Sequence, residues 1–224
     1  DIYLVFARTS PPPNKEDRHK GLSAFIVERG TEGFQVGSKI ETTGLRGSQP
    51  CELILDRVRV PKDSLLGREG EGFYVGVKTY DRGRIDVAAQ GIGIAQAAYE
   101  AAVSYAQTRT SFETPLIDFQ QVQYKLADMA IGLHTARLLT YWAASLKDQG
   151  KDFVKAASIA KVTATETAEK LALLAMMIHG GYGVATEYPV ERFLRDSQII
   201  KTYEGTNDIQ RLTIAKQLIR ELKS

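Results

Sequence analysis

The stretch Thr202-Tyr203-Glu204-Gly205-Thr206 sets one carboxylate directly ahead of a helical pattern that begins at Asn207. A carboxylate there faces the positive end of a helix dipole, and the adjoining glycine lets a ligand come close to the backbone. Such an arrangement suits proton abstraction, and it equally suits an acid that only complements the dipole. Tyr80-Asp81-Arg82-Gly83-Arg84 places two arginines and an aspartate within one helical turn. That cluster can grip phosphates or form a surface ion-pair patch. Arg109-Thr110-Ser111-Phe112 combines a cation, two hydroxyls and an aromatic ring, a set matched to a pyrophosphate and a planar ring, though ordinary helix connections use it too. His179-Gly180-Gly181-Tyr182-Gly183 offers backbone amides to an anion, or a helix stop.

These groups are carried on two kinds of element. Strand formers at Ile2–Arg8, Leu22–Glu28, Gly33–Ile40 and Glu52–Val60, parted by turn residues, predict four strands in one open sheet. The polar, proline-bearing stretch Ser10 to Lys20 reads as a solvated connection. From Gly72 onward the period becomes helical. Ala88, Gly91, Ala95, Ala98, Ala102 and Ala106 form a small-residue stripe on a long helix from about Gly72 to Thr108, close enough in size to admit a neighbouring helix. Gly91-Ile92-Gly93 resembles the start of a dinucleotide fingerprint, but it lies inside that helix and follows no strand, so it is set aside. After a break at Phe112–Leu116, a second helix carries Leu126, Met129, Leu133 and Ala136 and ends near Gly150. A third carries Val154 through Ile178 and stops at Gly180-Gly181. A short helix is expected near Pro189–Asp196 and a last one over Asn207–Leu222, where Asn207 and Gln210 have capping-box form. The fold class expected is α+β: a partial antiparallel β-domain over residues 1–69, followed by an antiparallel four-helix bundle over residues 70–224.

Composition narrows the function. Of 224 residues, 43% are hydrophobic and 25% charged, as in ordinary globular proteins. Lys plus Arg number 29 and Asp plus Glu 27, so there is no electrostatic footprint for nucleic acid. One cysteine, Cys51, and three scattered histidines exclude an internal disulfide framework and argue against a metal site. The longest apolar run, Leu171–Ile178, falls far short of the ~20 residues that span a bilayer. The chain opens on Asp1 inside a strand-like run, which is expected of a piece of a longer protein.

Taken in order, the segments resemble the C-terminal portion of an acyl-CoA dehydrogenase. The resemblance rests on Gly44-Leu45-Arg46-Gly47-Ser48, Val58-Arg59-Val60-Pro61, Leu66-Gly67, Arg109-Thr110-Ser111-Phe112, Gly180-Gly181-Tyr182-Gly183 and Arg195-Asp196. It rests above all on Tyr203-Glu204-Gly205-Thr206-Asn207-Asp208-Ile209-Gln210-Arg211. It implies a FAD enzyme of fatty-acid β-oxidation that desaturates an acyl-CoA thioester between its α- and β-carbons. Glu204 then matches the catalytic base. Some relatives supply the base from the position of Gly83, where glycine cannot serve. Asp81, Arg84, Tyr203 and Gly205 are the implied substrate contacts. Arg109, Phe112, Gln120, Gly180, Gly181 and Thr206 are the implied cofactor contacts, several of them across a subunit boundary.

The resemblance further implies an electron-transferring flavoprotein as electron acceptor and a homotetramer built as a dimer of dimers. Its implied location is the mitochondrial matrix in a eukaryote or the cytoplasm in a prokaryote, not the secreted fraction. Two positions depart from the family pattern: Glu113 replaces a usual glycine, and Met177 a frequent glutamine. An oxidase of the same fold and a non-catalytic assembly bundle are the competing readings.

Overall fold

The computed structural model describes residues 1–223. The chain divides into two compact units. One comprises Asp1–Thr42 with Arg46–Tyr80, and the other Thr43–Leu45 with the chain from Asp81 onward.

The first unit holds β1 (Ile2–Arg8), β2 (Leu22–Glu28), β3 (Phe34–Lys39), β4 (Cys51–Leu55) and β5 (Leu65–Leu66). β1 and β2 pair antiparallel from Ile2↔Glu28 to Arg8↔Leu22, and β5 takes the other edge of β2. β3 and β4 form a separate hairpin with a register shift between Val36 and Lys39. The single four-stranded sheet expected from the sequence is therefore corrected to two smaller sheets, because β2 spends its second edge on β5 and β3 pairs only with β4. The fourth strand also stops at Leu55 instead of running to Val60. Arg57 adopts a left-handed backbone at φ 50°, which turns the chain out of the ladder.

Helices dominate the second unit: α1 (Gly72–Thr108, entering from the first unit), α2 (Gln120–Asp148), α3 (Val154–His179), α4 (Val190–Ile200) and α5 (Asn207–Glu221). Between α1 and α2 lies a minimal hairpin of β6 (Thr110–Ser111) and β7 (Thr114–Pro115). Ala88, Ala95, Ala98, Ala102 and Ala106 are all fully buried, as the stripe predicts. Gly91 shows why the stripe is small: a Cβ there would sit 2.9 Å from the Ala164 carbonyl oxygen of α3, so this glycine serves a helix crossing.

One core cluster joins Ile85 and Ala88 of α1 to Ala136 and Ala143 of α2 and Ala156–Ala164 of α3. The other joins Ala106 to Leu126 and Ile178. The start of α1 thus meets the end of α2, and the end of α1 meets its start, which makes the bundle antiparallel. Met129, Leu133 and Leu171 are among its large buried apolar side chains, each contributing about 1.5–3 kcal/mol by burial.

Two of the sequence motifs dock on one another. Gly44 packs against the backbone of Arg195 and Asp196 so closely that no side chain fits. Leu45 N–H donates to the Asp196 carboxylate at 2.6 Å, and the Arg195 guanidinium donates to the Thr43 carbonyl at 3.0 Å. These bonds fasten α4, and with it the segment that leads to Glu204.

Candidate active site

Glu204 sits between α4 and α5 with φ 54°, and Gly205 follows at φ 84°. A left-handed backbone is unfavourable for a residue with a side chain and recurs at functional sites. The segment is clamped from behind. The Gln210 amide donates to the carbonyls of Glu204 and Gly205, both at 3.1 Å, and Asn207 N–H donates to the Lys201 carbonyl at 3.1 Å. The carboxylate faces α1, where Oε2 lies beside Gly83, buried and without a hydrogen-bond partner. Burial raises the pKa of Glu204 above its ordinary carboxylate value. Arg84 and Lys161 oppose that rise, and Asp86 adds to it.

Arg84 ion-pairs with Asp81 at 2.7 Å, with both side chains largely shielded, and reaches Ser158 at 3.5 Å. Its Nε is buried and unpartnered. Burial outweighs this pairing and raises Asp81 above its normal value. Tyr203 packs against the bundle core, and its hydroxyl donates to Gln90. Burial raises the Tyr203 phenol in turn. Glu204, Gly205, Tyr203, Arg84 and Asp81 thus collect around the start of α1 and the segment before α5.

A second site lies at the far end of α3. There Arg109, Ser111, His179, Gly180, Gly181 and Tyr182 line a cleft of about 680 Å³ whose walls are mainly apolar. Gly180 has φ 60° and ψ −133°, open only to glycine, and a Cβ on Gly180 or Gly181 would meet nothing within 4 Å. The backbone is therefore accessible from the cleft. The Arg109 guanidinium lies 5.7 Å from the Tyr182 ring centre. His179 stacks on Tyr105 at 4.0 Å and donates from Nδ1 to the Ala175 carbonyl at 2.8 Å. Burial lowers its pKa and favours the neutral ring. A cation, a hydroxyl, open backbone amides and apolar walls are the donor set that a planar ring with an anionic tail requires.

The remaining expected cofactor contacts are dispersed. Phe112 is 92% exposed on the β6–β7 turn, Gln120 is exposed at the start of α2, and neither lines the cleft. Thr206 lies beside the other site, at the end of α3 that carries Lys161. Lys161 and His179 are separated by roughly 27 Å of helix at 1.5 Å per residue. The Thr206 hydroxyl accepts from Ile209 N–H at 3.3 Å and caps α5. This corrects the expected capping box, because Asn207 is drawn into the core by Lys161 and the cap falls one residue earlier. Glu113 and Met177, which depart from the family pattern, are both exposed.

Sequence reasoning missed Lys161, Gln210, Gln90 and Ser158. Lys161 left one signal: it sits between Ala157, Ala160 and Ala164 on the buried seam of α3, where a charge has no ordinary place.

Residues 70–219 match the family model described as acyl-CoA dehydrogenase, C-terminal domain. The chain is 50% identical over 219 residues to an acyl-CoA dehydrogenase of Bacillus subtilis (strain 168), covering 98% of this chain and 57% of that protein. It is 47% identical over 221 residues to the short-chain specific acyl-CoA dehydrogenase, mitochondrial, of Homo sapiens, covering 99% and 53%. The structure of butyryl-CoA dehydrogenase from Megasphaera elsdenii superposes with a TM-score of 0.93 at 44% identity, over 98% of this chain and 56% of that one. The chain spans a little over half the length of the curated relatives it matches.

Proposed function

The chain belongs to the acyl-CoA dehydrogenase family, and on that footing we propose that it is the C-terminal part of a flavin-dependent enzyme that converts an acyl-CoA thioester to its trans-2-enoyl-CoA. The observation that carries the reading is Glu204: a carboxylate with one buried, unpartnered oxygen, held on a left-handed backbone and made more basic by burial. A proton beside a thioester is weakly acidic, so its removal needs a strong local base and a donor for the charge that grows on the carbonyl oxygen. Glu204 takes the α-proton, and its own backbone N–H serves that oxygen. Tyr203 lines the acyl pocket beside Gly205, while Arg84, braced by Asp81, orders the base and the substrate.

The residues present fit a flavin in this role. The open backbone at Gly180 and Gly181 admits close approach, and Arg109 supplies a cation for a pyrophosphate. Phe112 and Gln120 extend that surface, and Thr206 serves the other site. When bound, FAD supplies the acceptor for the hydride that leaves the β-carbon. Because the two sites lie at opposite ends of α3, one subunit contributes to two cofactors in the assembly.

That assembly is a homotetramer, a dimer of dimers. Tyr124, Ile131, Leu138, Tyr141 and Trp142 support it as an exposed apolar stripe along α2. The reduced enzyme hands its electrons to an electron-transferring flavoprotein. Its substrates are short, unbranched acyl-CoA esters, in line with the short-chain-specific and butyryl-CoA relatives. Among the described residues no helix is long and apolar enough to cross a membrane. The mitochondrial and bacterial relatives support a matrix location in a eukaryote or a cytoplasmic one in a prokaryote.

The test uses the full-length polypeptide loaded with FAD and titrated anaerobically with acyl-CoA esters of increasing length. Bleaching of the flavin by short esters in the wild type, with loss of bleaching but not of flavin in Glu204→Gln, is the expected result. Undiminished bleaching in that variant overturns the assignment of the base. Stoichiometric hydrogen peroxide in air indicates the oxidase reading instead, and a full-length protein that binds no flavin indicates an assembly role.

A further inference from the structure

Among the described residues, Lys161 is the only lysine or arginine that is buried, and the proton transfer proposed above gives it no part. Its Nζ donates to the Lys201 carbonyl at 3.1 Å, the Gly205 carbonyl at 3.1 Å and Asn207 Oδ1 at 2.8 Å. An ammonium has three protons to give, and all three are spent on the one segment that carries Glu204: before it, directly after it, and at the first residue of α5. The Lys201 carbonyl also accepts from Asn207 N–H, so the segment is closed into a ring with the ammonium at its centre.

Stability alone does not call for a cation here. A buried charge is costly to desolvate, and an apolar side chain of similar volume commonly stabilises such a site as well or better. The three acceptors are neutral, and the charges around the ammonium are mostly paired with others. On α1, Arg84 is paired with Asp81, and Asp86 faces Glu204. On α3, Glu166 is paired with Arg211 of α5. In the segment itself, Lys201 is paired with Glu169. Among the described residues neither Asp86 nor Glu204 has an ion-pair partner; Asp86 is exposed, which leaves Glu204 as the shielded anion without one.

We propose that Lys161 is the positioning residue for Glu204: it holds the left-handed segment between Lys201 and Asn207 so that the carboxylate meets Gly83, and it supplies the counter-charge behind that carboxylate. This inference rests on the reading of Glu204 as the base. Burial and the nearby Arg84 lower Lys161 to about 8, while Glu166 and Glu204 act the other way, so the group is charged near neutral pH and coupled to the base.

The experiment uses the full-length FAD enzyme with Lys161→Met, which keeps the volume but removes charge and donors, and Lys161→Arg, which keeps the charge. Two quantities are measured: the pH dependence of the limiting rate of flavin bleaching by butyryl-CoA, and hydrogen–deuterium exchange of the peptide spanning 201–206. The expected result for Lys161→Met is unchanged flavin content, a limiting rate reduced at least tenfold, an acidic limb moved to higher pH and faster exchange confined to that peptide. Lys161→Arg is expected to return the limb toward the wild-type pH. Should methionine not be accommodated, Lys161→Gln, which keeps a donor without the charge, is read by the same criteria. A neutral variant with a wild-type limb and wild-type exchange overturns the proposal, as does a slowed rate whose limb has not moved. Glu204→Gln run in parallel separates the two failures: if it remains active the base is wrong, and if it is dead while the neutral Lys161 variant behaves as wild type, only the role of Lys161 is lost.

Discussion

The carboxylate of Glu204 lies beside Gly83, so that a methyl group on Gly83 would collide with Oε2. The start of α1 and the segment before α5 thus approach one point in space from two sides. A glycine on α1 leaves room for the carboxylate that arrives from the other side.

Gly83→Ala therefore separates stability from catalysis. Alanine favours a helix interior over glycine by about 1 kcal/mol, so the variant is expected to melt no lower than the wild type. The displaced carboxylate is expected to slow flavin reduction by roughly 10- to 100-fold, since misplacement of a reacting group by about 1 Å can cost two orders of magnitude. Stopped-flow reduction and a thermal melt on the same full-length preparation check both halves.

Removing the ionisable group at residue 204 tests the charge itself. Glu204 is raised above its ordinary value of 4.5 in the folded chain, so folding favours its protonated form. The stability this contributes is complete below the unfolded value and is lost as pH rises through the raised folded one. Glu204→Gln mimics the protonated form. It is expected to melt higher than the wild type at pH 8 and to show no advantage at pH 4, while flavin reduction is absent at both. A variant equally stable to the wild type at every pH would show that burial does not penalise the charge.

The helices were legible because their signals are local. The alanine stripe of α1 and the stops at Pro115, Gly150 and Gly180 fix three long helices within a few residues of their observed ends. Strand pairing is not local: nothing in the spacing of β1–β4 says that β2 gives its second edge to the two-residue β5. The site divides in the same way. Glu204 stands out from its place before a helix, but only the family resemblance separates a base from an acid that complements the dipole; Lys161 stands out on an alanine seam, but its three acceptors come from the segment 201–207 and are not local to it. Asn207 and Gln210 match a capping box, yet both side chains are used inward, one by Lys161 and the other on the carbonyls of Glu204 and Gly205.

The Asp81–Arg84 pair is shielded enough that losing one partner is expensive. Asp81→Asn leaves the guanidinium, whose Nε already lacks a partner, without its 2.7 Å carboxylate. The expected loss is about 1–3 kcal/mol, the range for stranding a partly buried polar or charged group. Urea denaturation of the full-length enzyme checks the stability. Because Arg84 also holds down the pKa of Glu204 and the variant leaves that arginine freer to move, the acidic limb of the rate profile is expected to change with it.

The turn between β6 and β7 offers a test of the flavin surface without touching the base. Phe112 and Glu113 have φ of 49° and 62°, the conformation of a two-residue hairpin loop whose second position favours glycine. Glutamate in that conformation carries about 1–2 kcal/mol of strain, offset in part by the ~0.5–1 kcal/mol that glycine loses in chain entropy. Glu113→Gly is therefore expected to stabilise the protein by about 0.5–1 kcal/mol. It also removes an exposed negative charge from the turn that joins Ser111 to the strand leading into α2. If this surface receives the pyrophosphate of FAD, the variant binds the cofactor more tightly, and the gain shrinks as ionic strength rises, because an exposed charge acts through screened solvent. Fluorescence titration of the full-length apoprotein with FAD at low and high salt measures it. A stability gain with unchanged affinity at low salt would place the pyrophosphate away from this hairpin.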